Sequence, residues 1–378
     1  MVETGLAVLL REYLHLLKDQ RIGLVSHAAA ITSDLQTSQD ALLSAGVRLQ
    51  ALFGPEHGFS GSAPDGSAVE HYIDSETGLT IFSLYGLQKE PDRMMLEQID
   101  LLVFDMQDVG VRFYTYLSTL YYVIKGAAKA GCPVLVLDRP NPLAGLVVEG
   151  PCLEQGYESF VGVMAGLPIR HGMTLGELAS YLNRASNLGA ALQVIPMQGW
   201  NRSTWFSETG LPWAPTSPAM PHLSTTLVYP GMCLLEGTNI SEGRGTALPF
   251  EICGAPWIQG KALASALNQL ELPGVRFRPV SFTPTASKYS GQVCQGAQVY
   301  VTQRDLFRSV QLGFAVIQMV KSLYPHHFQW NESFDRLAGS SAPRQILENN
   351  RSLNEWPAGW QTGEQAFYQC RVPYLLYS

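Results

Sequence analysis

The sequence predicts an α/β fold built on a mostly parallel sheet with helices on both of its faces. Strand and helix patterns alternate through roughly the first 200 residues, and the strand patterns are the short, continuous apolar runs typical of buried parallel strands. Polar clusters directly follow several of these runs. The chain has 378 residues, 46% hydrophobic and 15% charged, which allows one large or two ordinary domains with a sizeable core.

The elements of the first half follow in β-α-β order, which gives a parallel sheet covered by helices. Strands are predicted over 21–26, 48–53, 80–85, 100–105, 133–138 and 192–197. Helices are predicted over 38–46, 91–99, 114–130 and 173–188. Gly131 is a typical C-cap for the third helix, and Thr174 with Glu177 forms a capping box for the fourth.

The composition changes between residues 199 and 260, where Trp, Pro and Gly become dense, as in functional loops with little regular structure. A smaller α/β region follows. Its predicted elements are helices over 260–270 and 305–323 and strands over 275–282 and 296–303. We therefore place a larger domain at 1–245 and a smaller C-terminal α/β domain at 246–378. The aromatic residues 366–378 are expected to dock on the protein.

The net charge of −7 argues against a nucleic-acid partner, because phosphate binding needs a basic face. No stretch approaches the roughly 20 apolar residues of a membrane span, so no membrane insertion is expected. The first 20 residues predict an amphipathic helix rather than a signal peptide. As written, the chain is expected to be cytoplasmic, or exported if a leader was removed before residue 1.

Polar clusters follow four apolar runs, and in open α/β sheets ligands bind beyond the carboxyl ends of the strands. The clusters are GPEHG at 54–58, MQDVG at 106–110, RPNP at 139–142 and, after the run MCLLEG at 232–237, TNISEGRG at 238–245. Their placement predicts one site assembled from many loops.

The first cluster places Glu56 and His57 between Pro55 and Gly58. Proline fixes one backbone dihedral and glycine permits a sharp turn. A carboxylate held there beside an imidazole suits a general acid with a tuned pKa. The alternative is a solvated turn.

The next two clusters offer acids, amides and arginines at strand ends. Asp105, Asp108 and Arg112 lie at a strand-to-helix junction, where they either bind a metal or a sugar hydroxyl or else cap the helix and form an ion pair. Arg139 and Asn141 suit hydroxyls or carboxylates, with a structural loop as the alternative.

The fourth cluster holds Glu236, Asn239, Glu242 and Arg244 among glycines that let the backbone approach a ligand closely. A flexible connector is the alternative, although a connector has little need of two acids and an arginine.

Arg170 and His171 precede the predicted helix 173–188, and a helix N-terminus attracts anions. A structural histidine is the alternative there. No G-x-G-x-x-G follows the first strand, and no P-loop, H-E-x-x-H or EF-hand spacing occurs. A dinucleotide or ATP enzyme is therefore not expected, and we expect neither a metal nor another cofactor.

Six motifs, in order, resemble those of the exo-β-N-acetylmuramidases. They are FGPEHG, DMQDVGVRFYTY, LDRPNP, RHGMTLGEL, YPGMCLLEGTNISEGRGT and the terminal YLLY. The resemblance covers nearly the whole chain. It implies a Rossmann-like N-terminal catalytic domain, a smaller C-terminal α/β domain, and a site in the cleft between them. It implies removal of terminal N-acetylmuramic acid from the non-reducing end of peptidoglycan fragments, a step in cell-wall recycling, with a muropeptide or MurNAc–GlcNAc saccharide as substrate.

By this resemblance, Glu56 is the general acid that protonates the leaving glycosidic oxygen, and His57 sets its orientation or pKa. Glycosidases commonly use a second carboxyl group, for which Asp108, Glu236 and Glu242 are candidates. The 2-acetamido group of the sugar is an alternative nucleophile, as in known substrate-assisted enzymes.

The remaining candidates would bind the substrate, since guanidinium groups match the geometry of a lactyl carboxylate. They are Arg112, Tyr114, Arg139, Asn141, Arg170, His171, Asn239 and Arg244. Trp200, Trp205 and Trp213 either stack on the sugar or pack in the core. Two positions depart from the family: His27 replaces the usual Asn after the first strand, and Ala219 replaces Asn in the P-S-P-N-M-P motif.

Two other function classes compete with a glycosidase. One is a metal-dependent hydrolase or transferase with Asp105, Asp108 and Glu236 as oxygen ligands. The other is a non-catalytic sugar-binding protein with the same cleft.

Overall fold

A seven-stranded sheet forms the centre of the N-terminal half in the computed structural model, which describes residues 1–349 and 356–378. The strands of the described chain are β1 Ile22–Ser26, β2 Leu49–Gly54, β3 Tyr72–Ile73, β4 Thr80–Ser83, β5 Leu101–Asp105, β6 Val134–Leu137, β7 Glu149–Cys152, β8 Pro168–Arg170, β9 Leu192–Ile195, β10 Ile252–Ala255, β11 Val275–Phe282 and β12 Cys294–Val301. The α-helices are α1 Gly5–Val8, α2 Ser38–Ser44, α3 Arg93–Leu96, α4 Thr115–Ala130, α5 Leu175–Ala185, α6 Leu223–Met232, α7 Gly260–Gln269, α8 Ser309–Leu323, α9 Phe334–Ala338, α10 Ala342–Glu348 and α11 Trp356–Arg371.

The strand order of the large sheet is β3-β4-β2-β1-β5-β6-β9, and every neighbouring pair is parallel except β3 with β4. The six strands predicted in the first half form the parallel part, so the predicted mostly parallel sheet is confirmed. Val25 of β1 lies opposite Phe53 of β2 and Phe104 of β5. This register brings the carboxyl ends of the three central strands to one edge.

Alternate residues of the central strands face opposite helix layers, as the two-residue period of a strand requires. In β5, Leu102 and Phe104 belong to the core that includes α4 and α5, whereas Val103 packs in the core with Leu6 of α1 and Leu42 of α2. All of these side chains are fully buried. Helices on both faces of the sheet are therefore confirmed, and the capping box of α5 is present as predicted.

The smaller C-terminal region contains an antiparallel sheet of order β10-β12-β11, together with helices α7 and α8 at the predicted positions. A small C-terminal α/β region is thus confirmed, while the boundary at residue 245 stays a prediction. Among the described residues, no helix has the length and apolar character needed to cross a lipid bilayer.

Three expectations about local structure were wrong. The apolar run 232–237 does not end a strand as the other three runs do: it contains the last residue of α6 and a 3₁₀ turn. Gly231 lets α6 pack closely on α8, since a Cβ there would lie 1.8 Å from the carbonyl oxygen of Ser309. The loop expected over 199–260 contains α6 and β10. The first helix is regular only over Gly5–Val8 and continues as π and 3₁₀ turns.

The C-terminal residues dock on the large sheet, as expected. The hydroxyl of Tyr377 donates to Asp138 Oδ2 at 2.6 Å, directly after β6, and accepts from the Met197 N–H at 2.9 Å. Arg371 is buried and donates to the carbonyl oxygens of His171 and Gly172 at 3.0 and 2.8 Å. The end of the chain thus satisfies buried polar groups beside the strand ends.

We predict that Tyr377→Phe lowers the free energy of unfolding by about 1–2 kcal/mol, because it removes one hydrogen bond to a buried carboxylate and one acceptor for a backbone N–H. Urea unfolding at pH 7 measures the change. Tyr13→Phe, at an exposed tyrosine, is the control and should differ from the wild type by less than about 0.5 kcal/mol. Equal stability of the two variants would contradict the docking role.

Candidate functional site

A cleft of about 1360 Å³ lies at the carboxyl-end edge of the sheet and is walled on its other side by the C-terminal half of the chain. Its polar wall residues from the N-terminal half include Glu56, His57, Asp65, Tyr85, Tyr114 and Thr115. Those from the C-terminal half include Glu236, Glu242, Arg244 and Lys288. Of the candidates from the sequence, Glu56, His57, Tyr114, Glu236, Glu242 and Arg244 are brought together here.

Glu56 is held from several sides in the loop after β2. Its Oε1 accepts from the Gly66 N–H at 2.9 Å, and its Oε2 accepts from the hydroxyl of Thr115, the first residue of α4, at 2.8 Å. The Tyr85 hydroxyl also forms a hydrogen bond with this carboxyl group. Burial, followed by the negative charge of Glu56, raises the pKa of Tyr85, so Tyr85 stays a protonated donor. Glu56 is therefore a fixed, half-buried carboxyl group facing the cleft.

His57 shapes the loop that carries Gly66. Its backbone has φ 71°, and Gly58 follows with φ 75°, so the chain turns sharply as the flanking glycine predicts. The ring Nδ1 donates to the carbonyl oxygen of Ala63 at 2.9 Å, while Nε2 lies 3.7 Å from Asp65 Oδ1. His57 thus folds residues 57–66 back so that the Gly66 N–H reaches Glu56.

The opposite wall is an ion-pair cluster centred on Arg244. Its guanidinium pairs with Glu236 at 2.8 Å, lies 3.7 Å from Glu242, and also contacts Asp65 from the facing loop. Lys288 Nζ pairs with Glu242 at 2.9 Å. Burial raises the pKa of Glu236 and the charge of Glu242 adds to the rise, while Arg244 opposes it.

Asp108 is buried and does not line the cleft. Its Oδ2 accepts from the Gly110 N–H at 2.7 Å, its Oδ1 has no hydrogen-bond partner, and burial raises its pKa to about 7. Of the three carboxyl groups predicted as the second catalytic group, Asp108 thus lies outside the cleft wall, whereas Glu236 and Glu242 line it.

Arg112, a predicted substrate ligand, is fully buried away from the cleft wall. Its two terminal nitrogens donate to the carbonyl oxygens of Pro151, Leu167 and Leu337 at 2.7–2.9 Å. The guanidinium therefore joins three chain segments instead of presenting itself to a ligand.

Arg139 also lies outside the cleft wall, in a buried ion pair with Asp105 at 2.5 and 2.9 Å. The Ser38 hydroxyl also donates a hydrogen bond to Asp105 Oδ2, at 2.5 Å. The sequence left an ion pair within the 105–112 cluster as an alternative for Asp105, but the structure pairs Asp105 with Arg139 and leaves Arg112 on backbone carbonyl oxygens. Within residues 1–349 and 356–378, no three His, Cys, Asp or Glu side chains are grouped to hold a metal ion.

Four further candidates lie outside the cleft wall and bond to the protein's own backbone. Asn141 contacts Met173 and Leu143, Arg170 contacts Leu143, His171 contacts Met173, and Asn239 contacts His327 and Gln329. Burial lowers the pKa of His171 to about 3, so this ring is neutral. These side chains shape the loops behind the cleft.

The three tryptophans considered as sugar-stacking residues do not line the cleft either. Trp200 packs against Tyr377, Trp205 against Arg170, and Trp213 against Phe206.

The wall residues that were missed from the sequence include four polar ones that contact the candidate residues: Asp65, Tyr85, Thr115 and Lys288. Asp65 stands in an A-P-D-G turn nine residues after Glu56, which is a usable signal. Thr115 lies within the DMQDVGVRFYTY motif, directly after Tyr114, so that motif was a signal for it. Tyr85 and Lys288 stand in no recognisable pattern, and only the folding of distant segments brings them to the cleft.

The two departures from the family have different consequences. Ala219 lines the cleft, so a side-chain amide is absent from the wall at this position. His27 is buried outside the cleft wall, and its Nε2 accepts from the Gln107 N–H at 3.0 Å. Burial, with the nearby charge of Arg139, lowers the pKa of His27 to about 3.

Comparison with known proteins gives matches over the whole chain. The N-terminal family model of the exo-beta-N-acetylmuramidase NamZ matches residues 22–224, and the C-terminal model of the same family matches residues 227–377. The peptidoglycan beta-N-acetylmuramidase NamZ of Bacillus subtilis (strain 168) is 47% identical, across 100% of this chain and 91% of the relative.

Two crystal structures of DUF1343 family proteins from Bacteroides fragilis NCTC 9343 are also similar. The first has a TM-score of 0.92 at 35% identity, and the second has a TM-score of 0.81 at 30% identity. Each match covers 100% of this chain and 99% of the other.

His27 gives a prediction for the pH dependence of stability. Its pKa is about 3 in the fold and about 6.5 when unfolded, so between these values the unfolded chain binds a proton that the folded chain does not. The free energy of unfolding therefore falls as the pH falls from about 6.5 towards 3, by at most about 1.4 kcal/mol per pH unit from this group.

His27→Gln keeps an acceptor for the Gln107 N–H and removes this titration. Urea unfolding of wild type and variant at pH 7, 6, 5 and 4 should therefore show a steeper decline for the wild type. Parallel curves would show that His27 is not held neutral.

Proposed function

The chain belongs to the exo-β-N-acetylmuramidase NamZ family and is a glycosidase, and from this premise we propose that it removes terminal N-acetylmuramic acid from the non-reducing end of peptidoglycan fragments, with Glu56 as general acid. The observation that carries the proposal is the placement of Glu56. It is the carboxyl group of the cleft that lies in the P-E-H-G turn, and backbone and side-chain donors fix both of its oxygens.

The surroundings of Glu56 suit proton transfer to a glycosidic oxygen. An acid catalyst must be held in one position, since misplacement of the reacting group costs rate steeply. Gly66 and Thr115 supply that positioning, and protonated Tyr85 lies against the same carboxyl group. When the glycosidic bond breaks, the proton of Glu56 passes to the departing oxygen, and the donors around it stabilise the carboxylate that remains.

The step at the anomeric carbon needs a second group. Retaining enzymes place two carboxyl groups about 5–5.5 Å apart and inverting enzymes about 6.5–9.5 Å apart. Glu236 and Glu242 both line the cleft, but Glu242 is almost fully buried and Lys288 holds it. The Glu236 side chain is 29% exposed, which favours it as the carboxylate that reaches the sugar. The sugar's own acetamido oxygen is the alternative nucleophile.

The substrate follows from the same premise. The Bacillus subtilis relative is named a peptidoglycan beta-N-acetylmuramidase, so we take a muropeptide or a MurNAc–GlcNAc saccharide as the substrate of this chain. A carbohydrate ligand of this kind suits the cleft because its wall combines charged groups with apolar and aromatic residues, among them Phe113, Phe160, Tyr229 and Phe250.

We predict that Glu56→Gln lowers the rate of N-acetylmuramic acid release from a MurNAc–GlcNAc disaccharide by about 10²–10⁴-fold, because glutamine cannot donate the proton. Chromatography of the released sugar measures the rate. Glu97→Gln, at an exposed glutamate outside the cleft wall, should match the wild type. Binding of the disaccharide without turnover by the wild type at any pH would instead support a sugar-binding protein.

A second prediction separates the two carboxylates. Glu236→Gln should lower kcat by at least about 10²-fold if its carboxylate acts at the anomeric carbon. Glu242→Gln should mainly lower stability, because Lys288 loses its carboxylate partner and keeps only the carbonyl oxygens of Leu235 and Ile240. Proton NMR of the anomer released first then distinguishes retention from inversion. Near wild-type kcat in Glu236→Gln, with retention, would favour the acetamido group as nucleophile.

A further inference from the structure

Three carboxylates lie against the guanidinium group of Arg244 in the cleft wall. Its Nε and Nη2 donate to Glu236 at 3.2 and 2.8 Å, and Nε also lies 3.7 Å from Glu242. Its Nη1 contacts Asp65. The guanidinium carbon lies 5.0 Å from the centre of the Phe250 ring, a cation–π contact that helps to hold the group in place. One edge of the fork is thus held by its own neighbourhood, while the Nη1 corner is turned to the facing loop.

The three carboxylates differ in how firmly they are held. Glu242 is 2% exposed and pairs with Lys288, and Glu236 is 29% exposed and accepts two hydrogen bonds from Arg244. Asp65 is 42% exposed and belongs to a separate loop. Exposed ion pairs contribute little to stability, since water and salt compete for both charges. Asp65 is therefore the carboxylate that costs least to displace.

The net charge around Arg244 favours an anion that replaces Asp65 over an anion that binds in addition to it. Asp65, Glu236 and Glu242 oppose Arg244 and Lys288, so these five groups already carry one excess negative charge. A further anion would raise that excess and meet repulsion from three carboxylates. An anion that replaces Asp65 leaves the balance unchanged.

We propose that the Nη1 corner of Arg244 is the receptor for the lactyl carboxylate of N-acetylmuramic acid, and that Asp65 occupies it as an exchangeable stand-in when no substrate is bound. This inference rests on the proposed function and specifies how the enzyme selects its sugar. Planar guanidinium groups bind carboxylates with defined geometry. N-acetylglucosamine has no lactyl group and gains nothing at this position.

Nη1 of Arg244 lies where a sugar bound to it would also reach Glu56, the proposed general acid. Asp65 lies between Arg244 and Nε2 of His57, and Glu56 precedes His57 in the chain. Gly66, the next residue after Asp65, donates to Glu56. A carboxylate that takes the place of Asp65 therefore lies beside the loop that positions the general acid, within the same cleft.

The test is isothermal titration calorimetry of N-acetylmuramic acid and N-acetylglucosamine with three proteins. The wild type should prefer N-acetylmuramic acid. Arg244→Met should weaken its binding by about 10–100-fold, as expected for the loss of charge-assisted hydrogen bonds, and should change N-acetylglucosamine binding by less than about 2-fold. Asp65→Asn should tighten N-acetylmuramic acid binding by about 2–5-fold, because the competing carboxylate is gone.

Two further variants guard against a general effect on the fold. Arg244→Lys keeps the charge without the planar fork and should lose part of the preference. Arg304→Met removes an arginine that pairs with Glu208 outside the cleft wall, and should bind both sugars like the wild type.

Equal weakening of both sugars by Arg244→Met, or weaker N-acetylmuramic acid binding by Asp65→Asn, would overturn the inference. So would a wild type that binds both sugars equally, even one that hydrolyses the disaccharide. A wild type with the predicted binding pattern but no turnover would leave the receptor standing and overturn the proposed chemistry instead.

Discussion

The buried ion pair of Arg139 and Asp105 is the interaction on which the arrangement of the site depends. Asp105 ends β5 and Arg139 follows β6, so the pair joins the carboxyl ends of two central strands. Arg139 also donates to the Ile31 carbonyl oxygen, and the Ser38 hydroxyl donates to Asp105. The attraction within a buried ion pair offsets the desolvation of its charges only when the geometry is good and further hydrogen bonds satisfy the remaining polar atoms, and both conditions are met here. The loops around these strands are thereby fixed behind the cleft.

The polar clusters at the strand ends consequently divide into two groups. In the clusters after β5 and β6, the polar side chains bind other parts of the protein. Examples are the Arg139–Asp105 ion pair and the hydrogen bond from Asn141 to the Met173 carbonyl oxygen. The turn after β2 and the segment after α6 instead face the cleft with Glu56 and Arg244. Asp65 contacts Arg244 across the cleft, and Gly66 in the same loop donates its N–H to Glu56, the proposed acid.

Sequence reasoning identified what local pattern determines. Continuous apolar runs revealed the parallel strands, and the Pro55–Gly58 turn marked Glu56. It did not identify α6, because Pro230 inside that helix and Gly231 read as loop residues, whereas Gly231 permits the close approach to α8. It also could not tell a ligand-binding arginine from one such as Arg112, because residue type does not reveal whether the acceptor is a substrate or the chain's own carbonyl oxygens.

Glu56 as proton donor and Arg244 as carboxylate receptor are proposed to belong to one sugar subsite. A crystal structure of Glu56→Gln with an intact MurNAc–GlcNAc disaccharide tests both at once. We expect the glycosidic oxygen within about 3.2 Å of the residue 56 amide and the lactyl carboxylate on Nη1 of Arg244, with Asp65 displaced. A disaccharide bound with its glycosidic oxygen away from residue 56 would contradict the central claim.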